Sequence, residues 1–186
     1  MQHSYAPAGL TQADAEKVAD QLQERLVSLL DLSLTLKHVH WNVVGPGFIG
    51  VHEMLDDHVA VVRSMADEVA ERIATLGGIP NGLPGHLTQN RTWDDYALGR
   101  AVVPAHLAAL DLAYNGIVGD HRTAIEVIEP IDVVTADLLT AQTGKLEMYQ
   151  WFLRAHLENT SGELPTTDVE SAEEAAAAAA VADPLD

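Results

Sequence analysis

The chain has 186 residues, 47% of them apolar and only 5% aromatic, which allows one domain with a substantial core and suits a helical bundle. It contains no cysteine, and this excludes a disulfide framework, a thiolate nucleophile, a zinc knuckle and an iron–sulfur cluster. Ten basic against 28 acidic residues give a net charge of -18, which opposes general affinity for nucleic acid or anionic membrane and is compatible with attracting cations.

The 3.6-residue period dominates and strand signals are sparse. A first helix is predicted from Thr11, whose hydroxyl can cap it with Asp14 in the place of a capping-box acid, and Val18, Leu22, Leu26, Leu29, Leu36 and His40 follow one stripe. Gly45, Pro46 and Gly47 break it. A second helix is predicted over 48–76, ended by Gly77 and Gly78 where a glycine cap is expected. Gly77 to Asn90 reads as a long crossover loop with one short helical turn. Thr92 with Asp95 repeats the capping pattern and opens a third helix to Val127 or Ile128, with Pro104, Gly116 and Gly119 predicting a kink. Pro130 closes it, and a fourth helix runs from Asp132 or Thr135 to Leu157. The predicted organisation is an N-terminal tail over 1–10, an all-α four-helix bundle with a ferritin-type crossover over 11–158, and an acidic, alanine-rich tail over 159–186 that is mobile or weakly docked. No apolar run of about twenty residues exists, nor any leader-like start, so a soluble, cytoplasmic protein without a membrane partner is expected.

Carboxylate-bridged metal sites inside such bundles use Glu-x-x-His pairs, because side chains three apart converge on one side of a helix. None of the nine histidines has a glutamate three residues upstream. On the second helix, however, His52, Asp56, Arg63, Asp67 and Glu71 share an arc of roughly 100°, opposite Leu55, Val62, Val69, Ile73 and Leu76. A solvated polar face is the plain explanation of such a stripe. Against it stand the cluster of His40, Trp41 and His52 at the helix corner, and Asp67 and Glu71 one turn apart, close enough to share a divalent ion. At about 1.5 Å rise per residue, His52 and Asp67 are roughly 22 Å apart along the axis, so one ion cannot take both from one chain. Two antiparallel copies about a twofold axis would bring His52 of one opposite Asp67 and Glu71 of the other, making two equivalent sites. Imidazole with carboxylates and open positions suits Fe(II) better than structural zinc, and Asp56 could orient an imidazole.

The run Lys37-His38-Val39-His40-Trp41-Asn42-Val43-Val44-Gly45, then Phe48-Ile49-Gly50-Val51-His52-Glu53, then Asp67-Glu68-Val69-Ala70-Glu71-Arg72-Ile73-Ala74-Thr75-Leu76-Gly77, resembles the signature of the Dps family of mini-ferritins over roughly 10–158. The resemblance implies a ferritin-like four-helix subunit with a short helix in the second crossover, assembled as a hollow homo-dodecamer. It implies iron as the metal with no organic cofactor, and a ferroxidase centre with His40 and His52 from one chain and Asp67 and Glu71 from its partner. Trp41 and Asp56 match the aromatic and the supporting acid beside that centre. The implied activity is an oxidoreductase that oxidises Fe(II), preferentially with hydrogen peroxide, and stores the ferric mineral against oxidative stress. Acid-lined pores near the start of the fourth helix give Asp132 and Asp137, with Glu126 and Glu129, as pore candidates. Their plain explanation is acids favoured at a helix N-terminus. The alternatives are a shell protein without iron oxidation and a DNA-compacting nucleoid protein. No basic residue precedes Lys17 or follows Arg154, and 159–186 carry seven acids, so direct DNA binding is not expected. His38, His58, His106, His121 and His156 read as surface or packing residues, as do Tyr149 and Met148. Trp93 and Trp151 read as core or intersubunit packing.

Overall fold

The computed structural model describes residues 5–158, 164 and 169–181. Among these it has six helices: α1 (Gln12–Asn42), α2 (Phe48–Thr75), α3 (Pro84–Asn90), α4 (Val103–Ile128), α5 (Val133–Leu157) and α6 (Ala172–Val181). Two short strands, β1 (Val43–Val44) and β2 (Ala101–Val102), pair in parallel, Val43 with Ala101 and Val44 with Val102. The all-α class and the long connection carrying a short helix agree with the sequence. No helix among the described residues is long and apolar enough to cross a membrane.

Local chemistry sets the ends of α1 and α2. The Asp14 N–H donates to Thr11 Oγ1 at 3.1 Å while the Thr11 hydroxyl donates to the Asp14 carboxylate at 2.7 Å. At the end of α2, Gly78 N–H donates to Ile73 O and Gly77 N–H to Ala74 O, both at 2.9 Å, closing a Schellman motif with Gly77 at φ +85°. Glycine is doubly required there, since a Cβ would lie 2.1 Å from the Tyr5 carbonyl oxygen. Tyr5 Oη in turn donates to Ala74 O at 3.1 Å.

The third long helix departs from the prediction. It begins at Val103, not Thr92, and residues 91–100 are irregular. The pull comes from α1: Arg91 Nη1 and Trp93 Nε1 donate to the two carboxylate oxygens of Asp31 at 3.0 and 2.7 Å. Two bonds to a charged acceptor outweigh one local cap of about 1 kcal/mol. Pro104 then falls in the first turn of α4, where its missing N–H costs no helical bond, and α4 continues through Gly116 and Gly119.

The C-terminal stretch is also corrected in part. Ser171 Oγ accepts from Glu174 N–H at 3.2 Å and caps α6, whose Ala175, Ala176 and Ala179 are buried. Small side chains let a backbone approach its neighbour closely, so the alanine run packs despite its flanking acids. The remaining tail positions, 159–163, 165–168 and 182–186, lie outside the described residues.

The chain divides into two compact units, each containing segments of α1, α2, α4 and α5. One comprises the described residues up to Ser33, Ala60–Trp93 and Ile117–Gly144. Val18, Leu22, Leu29, Val62, Val69, Ile73, Leu76, Ile128 and Leu139 are fully buried in it at helical spacing. The other comprises Leu34–Val59, Asp94–Gly116 and the described residues from Lys145 onward. Its fully buried side chains include Leu36, Leu55, Leu107, Leu110, Tyr114, Leu146 and Leu153. Each such leucine contributes about 1.5–3 kcal/mol by leaving water.

Candidate metal centre

The corner between α1 and α2 brings together the two histidines of the candidate centre. Gly45 and Gly47, at φ +93° and +73°, reverse the chain so that His40 in the last turn of α1 meets His52 in the second turn of α2. The rings stack with centroids 3.6 Å apart and planes 21° apart. His40 Nδ1 donates to the His52 carbonyl oxygen at 2.8 Å, and His52 Nδ1 donates to the His40 carbonyl oxygen at 2.9 Å. A carbonyl only accepts, so both Nδ1 atoms carry a hydrogen, and in a neutral ring so bonded the lone pair is on Nε2. That is the tautomer a metal-ligating imidazole needs, fixed before any ion arrives. His40 is buried, His52 is half-buried, and Phe48 lies edge-on to His52 at 5.8 Å.

Asp56 stands 3.5 Å from His40 Nδ1 and pairs with Lys37, whose hydrogen bond holds the Asp56 carboxyl below its ordinary value. The stronger orienting contacts of the two imidazoles are thus the backbone carbonyls, a reciprocal arrangement across twelve residues that no side-chain pattern in the sequence encodes. Trp41 points outward and is 72% exposed.

The carboxylate half lies in the other unit. Asp67 and Glu71 are exposed one turn apart on α2, and no hydrogen bond or ion pair engages either carboxylate among the described residues. Nor do three His, Asp or Glu side chains gather as a metal site within the chain, again among the described residues.

Arg72 Nη2 donates to Asp132 Oδ2 at 2.7 Å and Nε to Thr135 Oγ1 at 2.8 Å. Asp132 also accepts from Val134 N–H at 3.2 Å and from the Thr135 hydroxyl. Burial alone would raise its carboxyl, but the bonds from Thr135 and Arg72 outweigh it and hold the group below its ordinary value. Asp132, named above as a pore candidate, is 7% exposed and acts as the cap of α5, whereas Asp137, Glu126 and Glu129 are exposed.

Three histidines read as surface or packing residues are fully or almost fully buried, and burial depresses each one. His58 and His121 fall to about 4, and His106 also lies below its ordinary value. The ring partners of His58, Tyr114 and Tyr149, come from distant parts of the chain, whereas His121 Nδ1 donates to Ile117 O one turn earlier on α4 and His106 meets Tyr96 ten residues before it.

A ferritin-like domain family matches residues 19–162. The "DNA protection during starvation protein" of Mycolicibacterium smegmatis is 58% identical over 174 residues, 94% of each chain. The chain belongs to the Dps family of mini-ferritins. The solved structure "Mycobacterium smegmatis Dps tetragonal form" superposes with a TM-score of 0.86 at 58% identity, covering 88% of this chain and 99% of that one. The "Fine tangled pili major subunit" of Haemophilus ducreyi is 51% identical over 156 residues, 84% of this chain and 82% of its own length. The Dps assignment agrees with the H-W corner, the second histidine and the D-x-x-x-E turn quoted from the sequence.

Proposed function

We propose that this Dps-family chain oxidises Fe(II), preferentially with hydrogen peroxide, at centres shared between two subunits, and stores the ferric oxyhydroxide inside a cytoplasmic homo-dodecamer. The observation that carries the reading is the reciprocal bonding of His40 and His52, which engages both Nδ1 atoms and leaves both Nε2 atoms for a metal. In the proposed centre these come from one subunit, and Asp67 and Glu71 of the partner subunit supply the oxygens. Mixed nitrogen and carboxylate ligation with room for water or oxidant is the chemistry of redox-active iron rather than of a closed zinc site.

Fe(II) is the substrate. Two ions each give one electron to a peroxide, whose O–O bond breaks to leave two hydroxides, so no hydroxyl radical is released. Asp67 and Glu71 neutralise charge as Fe(III) forms. Asp56 and Trp41 border the histidine corner, and exposed Asp137, with Glu126 and Glu129 beside it, is proposed to line the entry pore. Asp132 serves there through the position it gives α5.

The test is anaerobic addition of Fe(II) followed by peroxide, comparing wild type with His52→Ala and Glu71→Ala. Both variants are expected to lose rapid ferric-product formation while keeping the assembled size, and equal rates for all three proteins would overturn the reading. The proposed protection is by sequestration rather than by coating DNA, since the tail and the body are both acidic. Metal-free protein is expected to leave a plasmid band unshifted at neutral pH and moderate salt; a retarded band would favour the nucleoid-compacting alternative.

A further inference from the structure

The dipeptide Asn-Gly occurs twice in the chain, at Asn81–Gly82 and at Asn115–Gly116. Asn115 and Gly116 are exposed but lie inside α4. Asn81, half-buried, and Gly82, exposed, lie in the irregular stretch between α2 and α3. There Asn81 Oδ1 accepts from the Leu83 N–H at 3.2 Å. Gln23 clamps the main chain of the same residue from α1: its Nε2 donates to Asn81 O at 3.0 Å, and its Oε1 accepts from the Asn81 N–H at 2.9 Å. Gln23, Asn81, Gly82 and Leu83 belong to one compact unit.

The turn at Asn81 does more than shape the loop. Its hydrogen-bonded ring contains both Asn81 Cγ and the Gly82 nitrogen, so an electrophile and a nucleophile are held close together. The Leu83 N–H draws charge from the side-chain carbonyl and sits where negative charge would collect on Oδ1 if Cγ were attacked. Gly82 has no Cβ to crowd its nitrogen, and no hydrogen bond among the described residues ties up its N–H. The Gln23 bonds fix the main-chain N and O of Asn81 and leave both reacting atoms free. In α4 the opposite holds. The Gly116 N–H is committed to the helical ladder, and the Asn115 side chain tilts toward the helix N-terminus, away from that nitrogen.

We propose that Asn81–Gly82 is a site of spontaneous modification, at which water displaces ammonia from Asn81 and leaves a mixture of aspartate and isoaspartate. The Gly82 nitrogen attacks Asn81 Cγ and gives up its proton, and the side-chain nitrogen leaves as ammonia, closing a cyclic imide. Water then opens the imide at either carbonyl. Opening at Cγ gives aspartate, and opening at the main-chain carbonyl gives isoaspartate, in which the chain runs through Cβ and Cγ. No electrons are transferred, and water is the only co-reactant. Either product adds a negative charge. Isoaspartate also lengthens the main chain by one methylene between the Gln23 clamp and α3, which unfastens the crossover from α1 as the protein ages.

The reaction needs no iron, so its test is independent of the iron-oxidising function. Full-length assembled protein is aged at mildly alkaline pH in heavy-oxygen water, which labels only residues hydrolysed during ageing. Trypsin then separates the two pairs, since cleavage after Arg72, Arg91, Arg100 and Arg122 yields 73–91 and 101–122. Label is expected to enter 73–91 at least about tenfold faster than 101–122, and an isoaspartyl-specific methyltransferase is expected to accept the aged protein. Gly82→Ala is expected to lose most of the label with the fold intact, because its Cβ would meet only Leu30 Cδ1, at 3.5 Å. Leu83→Pro suits the φ of -71° at that position and removes the N–H that bonds Asn81 Oδ1, so it is expected to slow labelling several-fold. Equal labelling of the two peptides, no label in 73–91, or labelling of Leu83→Pro at the wild-type rate overturns the proposal. Aged wild type, but not aged Gly82→Ala, is expected to be nicked in the crossover by limited proteolysis, and equal resistance overturns the unfastening.

Discussion

Replacing Arg72 by Met removes the partner of a nearly buried carboxylate next to a proposed metal ligand. Asp132 is 7% exposed and Arg72 18% exposed in their side chains, with Nη2 and Oδ2 2.7 Å apart. Taking one partner from a buried pair costs roughly 3–5 kcal/mol when the other charge is stranded. Here Asp132 keeps its bonds from Thr135 and Val134, and the partly open side lets water reach it, which reduces the loss to about 2–3 kcal/mol. At about 2–4 °C per kcal/mol for a chain of this size, Tm should fall by about 4–12 °C. Calorimetry at one fixed protein concentration measures this, because assembly also contributes to Tm. Adding Asp132→Asn should recover part of the loss, since a neutral amide is cheaper to bury than an unpaired carboxylate. The stabilisation from Asp132 is present above its ordinary value near 3.8 and is lost as pH falls through its lower folded value. An unchanged Tm in Arg72→Met, or a double variant no better than the single, refutes the reasoning.

Two further outcomes follow from burial and backbone geometry. Gly77→Ala places a Cβ 2.1 Å from the Tyr5 carbonyl oxygen at φ +85°. It is expected to cost more than the roughly 1 kcal/mol of the left-handed conformation alone and to expose the N-terminal segment to limited proteolysis; wild-type resistance would contradict this. His58 and His121 are folded with values near 4, below 6.5 for the unfolded chain. Above pH 6.5 neither form binds the proton, while between 6.5 and about 4 only the unfolded chain does, so stability falls on acidification by up to about 3 kcal/mol per histidine. Denaturant midpoints from pH 7 to 5 should decline for wild type and less steeply for His121→Gln; parallel slopes would show that His121 does not carry the effect.

Much of this architecture was legible because it is locally encoded. Thr11 with Asp14, Gly77 with Gly78 and the apolar stripe of α2 specify helix ends and faces through contacts within a few residues. Val103 as the true start of α4 was not legible, since Asp31, some sixty residues away, competes for Arg91 and Trp93. The same holds for the β1–β2 pairing and the packed alanines of α6. Of the candidate centre, helical spacing gave only that His52 and Asp67 could not hold one ion within a single chain, and the proposed set of four residues came from the resemblance to the Dps family. The carbonyl bonds that fix His40 and His52 came from neither, because they depend on how the Gly45–Gly47 reversal folds.

The most direct test of a centre shared between subunits is complementation. His52→Ala and Glu71→Ala subunits are inactivated in separate assemblies, then unfolded, mixed in equal amounts and reassembled. With the histidines and acids of each centre on different chains, a mixed dimer has one doubly altered site and one intact site. Random pairing therefore restores about a quarter of the sites. Rapid Fe(II) oxidation by peroxide should return to about that fraction of wild type. A mixture as inactive as its components would contradict the shared centre.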